Sequence, residues 1–310
     1  MKSETIITNG FRWRYWPCPK KSESTMIVVL GGASEGGILI KAAVKCMHEY
    51  GCNAVTFVPV NENGVYDGWH DFPLDRIEEI ALYLLDHGSR RVGIGGASTT
   101  SLVSLAAASR IPQLSLVLSF ATEDYNTEGF YMGKAEKGGI GMIPANGHSM
   151  FTWRGEPVPF SVTNLTAKQM DEMIHKDKEG NMMNALQICA YYESLDGFEE
   201  ALHPVENAHA LICAFGSDSD VGCDSGRMVR RMEKRLRDHH YAYGMEMHVY
   251  PVCSHYQFPE TMIKNLLPFG SQFLMGKMWA VEKNFPQECI RARKDIDRVV
   301  RKAVEDWKNR

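Results

Sequence analysis

The sequence predicts an α/β fold: a mostly parallel sheet with helices on both faces, carrying a lid-like insertion. Three observations predict it. Short apolar runs alternate with segments of helical periodicity, several of those runs empty into loops of small residues, and the rhythm stops over residues 122–204 before it resumes. Repeated βα units imply parallel strands covered by helices on both sides. The chain is therefore expected to be a single domain over 1–310, with 122–204 as a lid or binding segment within it.

The elements follow in order. Asn9-Gly10 is a hairpin signal, and Phe11 to Trp16 alternates aromatic and basic residues with period two, so an antiparallel strand should lead the sheet. Pro17-Cys18-Pro19 ends it. Met26 to Leu30 is a five-residue apolar run suited to a buried parallel strand, and it runs into the loop Gly31-Gly32-Ala33-Ser34-Glu35-Gly36-Gly37. Ile38 to Tyr50 has helical periodicity and stops at Gly51. Ala54 to Val60 reads as the next strand. Phe72-Pro73-Leu74-Asp75 opens a helix whose apolar face is Ile77, Ile80, Ala81 and Leu84, closed by Gly88. Leu114 to Phe120 is another apolar strand. Beyond the insertion, which lacks a clear strand pattern, come a strand over 209–215, a helix from about Ser225 to His239, and a strand over 245–252. From Ala280 to the C-terminus the chain reads as helix apart from Pro286, with a solvated charged face.

The glycine-rich loop after Leu30 has two chemical uses: cradling a phosphate, or presenting an N–H to an oxyanion. No Gly-Lys-Ser/Thr follows it, the glycines are not spaced G-x-G-x-x-G, and no acid ends the next strand, so an oxyanion loop is the sharper reading and a plain tight turn the alternative. A second such junction is Arg91 to Leu102. Here an apolar run meets Gly96-Ala97-Ser98-Thr99-Thr100 and passes into good helix residues, which is the layout of a nucleophile elbow. Small neighbours are needed there because the serine sits at strained angles and the helix folds back closely on its strand. Thr100 stands where the pattern G-x-S-x-G wants glycine, and a β-branched residue should crowd the crossing.

Composition narrows the function. Apolar content of 44% suits a packed core, and a net charge of −4 without a basic stripe gives no reason to expect nucleic acid. The basic run over 227–237 has Met and Leu at helical spacing and reads as a solvated helix face. Eight scattered cysteines without a C-x-x-C pair suggest buried, reduced thiols. The N-terminus lacks an apolar signal core, and no run approaches 18 apolar residues, so a cytoplasmic protein with no membrane partner is expected. The methionines of the insertion are read either as lining an apolar substrate pocket or as a small core of its own. Metal and organic cofactors find no support, since no histidine has metal-ligand spacing on a helix face.

Ser98, an acid on the strand-end loop at 218–220, and His255 on the next strand-end loop give the chain order Ser, Asp, His of an α/β-hydrolase. Each candidate sits at the carboxyl end of a predicted parallel strand. His255 would take the serine proton and the Asp would hold its tautomer.

With these residues in place the chain resembles the C-terminal catalytic domain of the acyl-CoA thioesterase and bile acid-CoA:amino acid N-acyltransferase family, over roughly residues 26–275. The resemblance rests on Gly31 to Gly37, the elbow at Ser98, Trp153-Arg154-Gly155-Glu156-Pro157-Val158-Pro159, Pro204-Val205-Glu206, and His255-Tyr256 followed by Pro259. It implies oxyanion donors at the N–H groups of Ala33 and Thr99. The family's acid loop runs Gly-x-Asp-Asp where this chain has Gly216-Ser217-Asp218-Ser219-Asp220; alignment on Lys234-Arg235-Leu236 makes Asp220 the acid and Asp218 the reserve. A serine nucleophile is what the thioesterase branch uses. The expected function is a serine hydrolase of acyl thioesters or esters, CoA-linked or not, acting through an acyl-Ser98 intermediate. Transfer of the acyl group to an amine or alcohol, and a binding protein with a decayed elbow, are the alternatives.

Overall fold

The structure, a computed structural model, describes residues 1–29, 37–57, 67–133, 141–267 and 270–310. Strands β1 (Glu4–Thr8) and β2 (Phe11–Trp16) form the expected hairpin, with Asn9 and Gly10 both at positive φ in its two-residue turn. There follow β3 (Ser24–Val29), α1 (Ile38–Glu49), β4 (Asn53–Phe57), the two-residue strands β5 (Gly68–Trp69) and β6 (Phe72–Pro73), α2 (Asp75–Asp86), β7 (Arg91–Ala97), α3 (Thr99–Ala108) and β8 (Leu114–Phe120). The insertion holds β9 (Glu128–Met132), β10 (Met142–Ser149), β11 (Phe151–Trp153), β12 (Glu156–Pro157), α4 (Ala167–Met173), α5 (Leu186–Glu193) and α6 (Phe198–Ala201). The chain closes with β13 (Leu211–Ser217), α7 (Ser225–Asp238), β14 (Met245–Tyr250), α8 (Glu260–Leu266), α9 (Ser271–Met278), α10 (Ala280–Asn284) and α11 (Pro286–Asn309), whose first residue is the proline that splits the last helical stretch.

One sheet runs in the order β1-β2-β4-β3-β7-β8-β13-β14. The six strands from β4 to β14 are mutually parallel, while β1 and β2 are antiparallel. Strand order reverses at β3, so the carboxyl ends of β3 and β7 lie at a topological switch point, where open sheets of this kind place their sites.

Alternation along the buried strands builds two cores. Ile27, Val29, Val117, Ile212 and Ala214 face α2, α3 and α7. Their neighbours Met26, Val28, Leu116, Leu118, Cys213 and Phe215 face α1, α8 and α11. A period-two pattern with both phases apolar is what a strand buried on both faces requires. All eight cysteines are buried and unpaired.

Two expectations are corrected. The insertion carries strands after all: β10 pairs antiparallel with β9, which pairs in turn with β5 some sixty residues upstream. It also has a core of its own, in which Tyr125, Met170, Ile174, Ile188, Tyr192 and Phe198 pack with Cys223 and Met228. The charged face of the last helix is not wholly solvated either. Arg293 is 1% exposed and bonds Glu282, Glu260 and Gln272 in the interior. Similarly, the basic run on α7 ties elements together: Arg231 reaches Asp124 and Glu193, and Arg235 reaches Glu206.

Candidate active site

Ser98 is the pivot between β7 and α3. Its backbone stands at φ 53°, ψ −131°, a region that a non-glycine residue occupies only when its surroundings force it. The surroundings here are the N–H of Ser98 bonded to Phe120 O at 3.0 Å and the carbonyl of Ser98 receiving the Ser101 amide at 2.7 Å. Gly96 permits the turn, because a Cβ at that position would lie 2.1 Å from the Thr100 carbonyl oxygen. Thr100 does not open the crossing. Its Oγ1 accepts the Ala97 amide at 2.8 Å and donates to the Ala97 carbonyl at 2.9 Å, so the threonine folds back on the strand and staples the elbow.

His255 follows β14 on the loop that begins at Pro251, and Asp220 follows β13. Nδ1 of His255 lies 2.9 and 3.1 Å from the two Asp220 oxygens. The carboxylate is held from several sides: the Gly222 amide at 2.9 Å, Ser225 Oγ at 2.7 Å and Gln257 Nε2 at 2.8 Å all donate to it. Both Asp220 and His255 are buried. Burial opposes the imidazolium, but the charge of Asp220 and its hydrogen bond outweigh it, and Glu123 adds to them, so the His255 pKa is raised above 6.5. Ser217 Oγ stitches the two loops together, donating to Cys253 O and accepting the Cys253 amide. Trp279 packs against the imidazole with centroids 5.5 Å apart, and Gly222 lies so close to its other side that a Cβ would sit 2.5 Å from Nδ1. Asp220, Cys223 and His255 place three metal-capable atoms within 4.8 Å of one another, but the carboxylate and Nδ1 are already engaged with each other.

A third acid enters at the end of β8. Glu123 Oε1 accepts the Ser98 hydroxyl at 3.2 Å, and the Glu123 amide donates to Ser101 Oγ at 3.0 Å. Burial pushes its carboxyl up to about 7, against the pull of His255 and of the Ser98 hydrogen bond. Ser98, Thr99, Glu123, Gly222 and Cys223 share a pocket of about 90 Å³ whose far wall is the core of the insertion, including Met142, Met170, Met183 and Tyr192. Of the insertion's methionines, Met142, Met170 and Met183 line this pocket, and Met170 is also buried in the insertion's core.

The sequence matches no protein-family model and no curated protein. Solved structures do match. A lipase in its open form aligns over 100% of both chains with a TM-score of 0.52 and 12% identity. A puromycin-hydrolyzing peptidase of Mycobacterium tuberculosis aligns over 89% of this chain and 39% of its own, with a TM-score of 0.51 and 11% identity. The chain has the α/β-hydrolase fold.

On that fold the structure brings Asp220 and His255 into contact, while Ser98 at the elbow shares its pocket with Gly222 and Cys223 of the Asp220 loop and donates its hydroxyl to Glu123. Asp218, the reserve acid, points elsewhere: it forms a two-pronged pair with Arg230 at 2.6 and 2.9 Å, and that hydrogen bond holds its carboxyl below the usual range. Thr99 is the first residue of α3, so its amide belongs to the set a helix leaves unpaired, and it lines the pocket beside Ser98. Ala33 lies outside the described residues. Glu123 was missed by sequence reasoning. The available signal was an acid pair, Glu123-Asp124, just past the apolar run 114–120, the same strand-end position that singled out Asp220.

Proposed function

We propose that the protein is a serine hydrolase of short acyl esters or thioesters. The observation that carries this is the strained Ser98 at the end of β7, opening into the pocket beside a buried His255–Asp220 pair. Catalysis starts when the Ser98 hydroxyl turns from Glu123 toward Nε2 of His255, which takes its proton as Oγ bonds the acyl carbon. The helix-terminal amide of Thr99 faces the oxyanion. His255 then returns the proton to the departing alcohol or thiol, leaving acyl-Ser98. Water attacks that ester, His255 relays its proton back to Ser98, and the carboxylic acid leaves.

A pocket of about 90 Å³ has room for roughly half a dozen water-sized groups, which favours short acyl chains. The resemblance to acyl-CoA thioesterases, carried by the elbow and by the His255 context, supports thioesters among the substrates. The test is acid release from short acyl esters and acyl-CoA thioesters by the wild type and by Ser98→Ala. Turnover that vanishes in the variant supports the reading; turnover that survives it, or is absent in both, overturns it.

A further inference from the structure

Glu123 is held differently from the other acids of the interior: Glu128 takes the Thr163 hydroxyl and the amides of Thr163 and Gly147, and Asp220 takes His255. Asp124 has Arg231, Glu206 has Arg235, and Glu282 has Arg293. Glu123 is flanked by the Ser98 hydroxyl, and the charged or titratable groups it feels are His255, Asp220 and Asp124, two of them acids. Among the described residues that line the pocket it is the only charged side chain, set against methionine, isoleucine, phenylalanine and tyrosine. A carboxylate beside the nucleophile is a poor neighbour for a neutral acyl group. Attack on such a group makes a tetrahedral oxyanion within a few bonds of the Glu123 carboxyl, among largely apolar walls.

We propose that the pocket selects acyl groups bearing a protonated amine two or three bonds from the carbonyl carbon, with Glu123 as the receptor for the ammonium. This rests on the hydrolase reading above and names its substrate class: small aminoacyl esters or thioesters. The geometry fits. Glu123 Oε1 lies 3.2 Å from Ser98 Oγ, so a group two or three bonds beyond an acyl carbon attached to Oγ is within hydrogen-bonding reach of the carboxylate. Binding the ammonium exchanges the Ser98 hydroxyl for a charged donor on Glu123, which both frees the serine to turn to His255 and supplies the missing counter-charge. The methionine-rich wall takes the remaining carbons. Balance requires no other reactant, since the ammonium is bound and not transformed.

Matched esters test this at neutral pH: β-alanine methyl ester against methyl butyrate, and alanine methyl ester against methyl isobutyrate, each pair differing by ammonium for methyl. Acid release is followed for the wild type and for Glu123→Gln and Glu123→Asp. The expected result is a kcat/KM ratio favouring the amino ester by at least tenfold in the wild type, collapsing toward one in Glu123→Gln and partly kept in Glu123→Asp. Ser98-dependent cleavage of the neutral esters as fast as the amino esters in the wild type overturns the proposal while leaving the hydrolase reading standing, and so does a glutamine variant that slows both members of a pair alike. If no ester is cleaved and a fluorophosphonate does not label Ser98, the hydrolase reading itself falls and takes the substrate class with it.

Discussion

Glu123→Gln has a second consequence, in stability, that can be worked from the structure. Burial raises the Glu123 carboxyl from 4.5 to about 7. At about 1.4 kcal/mol for each pH unit, this corresponds to about 3 kcal/mol, an upper limit because the side chain keeps some contact with the open pocket. The sign follows from proton uptake. Between 4.5 and 7 the folded state holds a proton that the unfolded state has lost, so the glutamate's contribution is most favourable below 4.5 and declines as pH rises through 7. Glutamine reproduces the protonated form and does not titrate. Urea unfolding of both proteins from just below 4.5 to above 7 should therefore show equal stability at the acid end and a glutamine variant more stable by up to about 3 kcal/mol at the alkaline end. Because only the difference between two otherwise identical chains is read, the titration of groups that do not sense Glu123 cancels, and His255, whose pKa Glu123 helps to raise, contributes to the difference. A stability difference that does not change with pH would refute the claim that Glu123 is a buried acid without a strong cationic partner.

Other outcomes follow from the same geometry. Gly222→Ala puts a Cβ 2.5 Å from His255 Nδ1, so the imidazole must move; a displacement of this kind should lower kcat by about 10²-fold with the fold intact by circular dichroism. Asp220→Asn should cost about 10⁴-fold in kcat by favouring the wrong tautomer, whereas Asp218→Asn, which only releases Arg230, should stay within a few-fold. The acid limb of the kcat/KM profile should lie above 6.5, because neutral His255 is the base and its partners raise its pKa; a limb below 6.5 would contradict the pairing with Asp220. Glu282→Gln removes the closest buried partner of Arg293 but leaves Glu260 paired with it, so it should cost less than the about 3–5 kcal/mol of a buried charge left alone, read by chemical denaturation.

What could be read from the sequence was local. The hairpin turn at Asn9-Gly10, the apolar strands and the small residues of the elbow each announce themselves within a dozen residues, and the order Ser98, Asp220, His255 needs only that the strands be parallel. What could not be read depends on sheet order. Glu123 acquires its meaning because β8 lies beside β7, which brings its strand end to within 3.2 Å of Ser98; in sequence it is an acid after a strand, one among several. Strand β9 was invisible because one partner, β5, is two residues long and distant in the chain, and the pairing with the other, β10, breaks register at a bulge. Arg293 looked solvated because its charge partners sit on α10 and α8 rather than on its own helix. Thr100 misled in the other direction: judged by shape it should spoil the elbow, but its hydroxyl finds both the N–H and the C=O of Ala97.

The central claim is that Ser98 is a nucleophile served by His255. Its most direct test is mass spectrometry of the intact protein after exposure to a fluorophosphonate and, separately, after rapid quench with a short acyl ester. A single adduct mapped to Ser98 is expected in both cases, absent from Ser98→Ala and slowed at least a hundredfold in His255→Ala. A wild-type protein that stays unlabelled, or an adduct on any other residue, would contradict it.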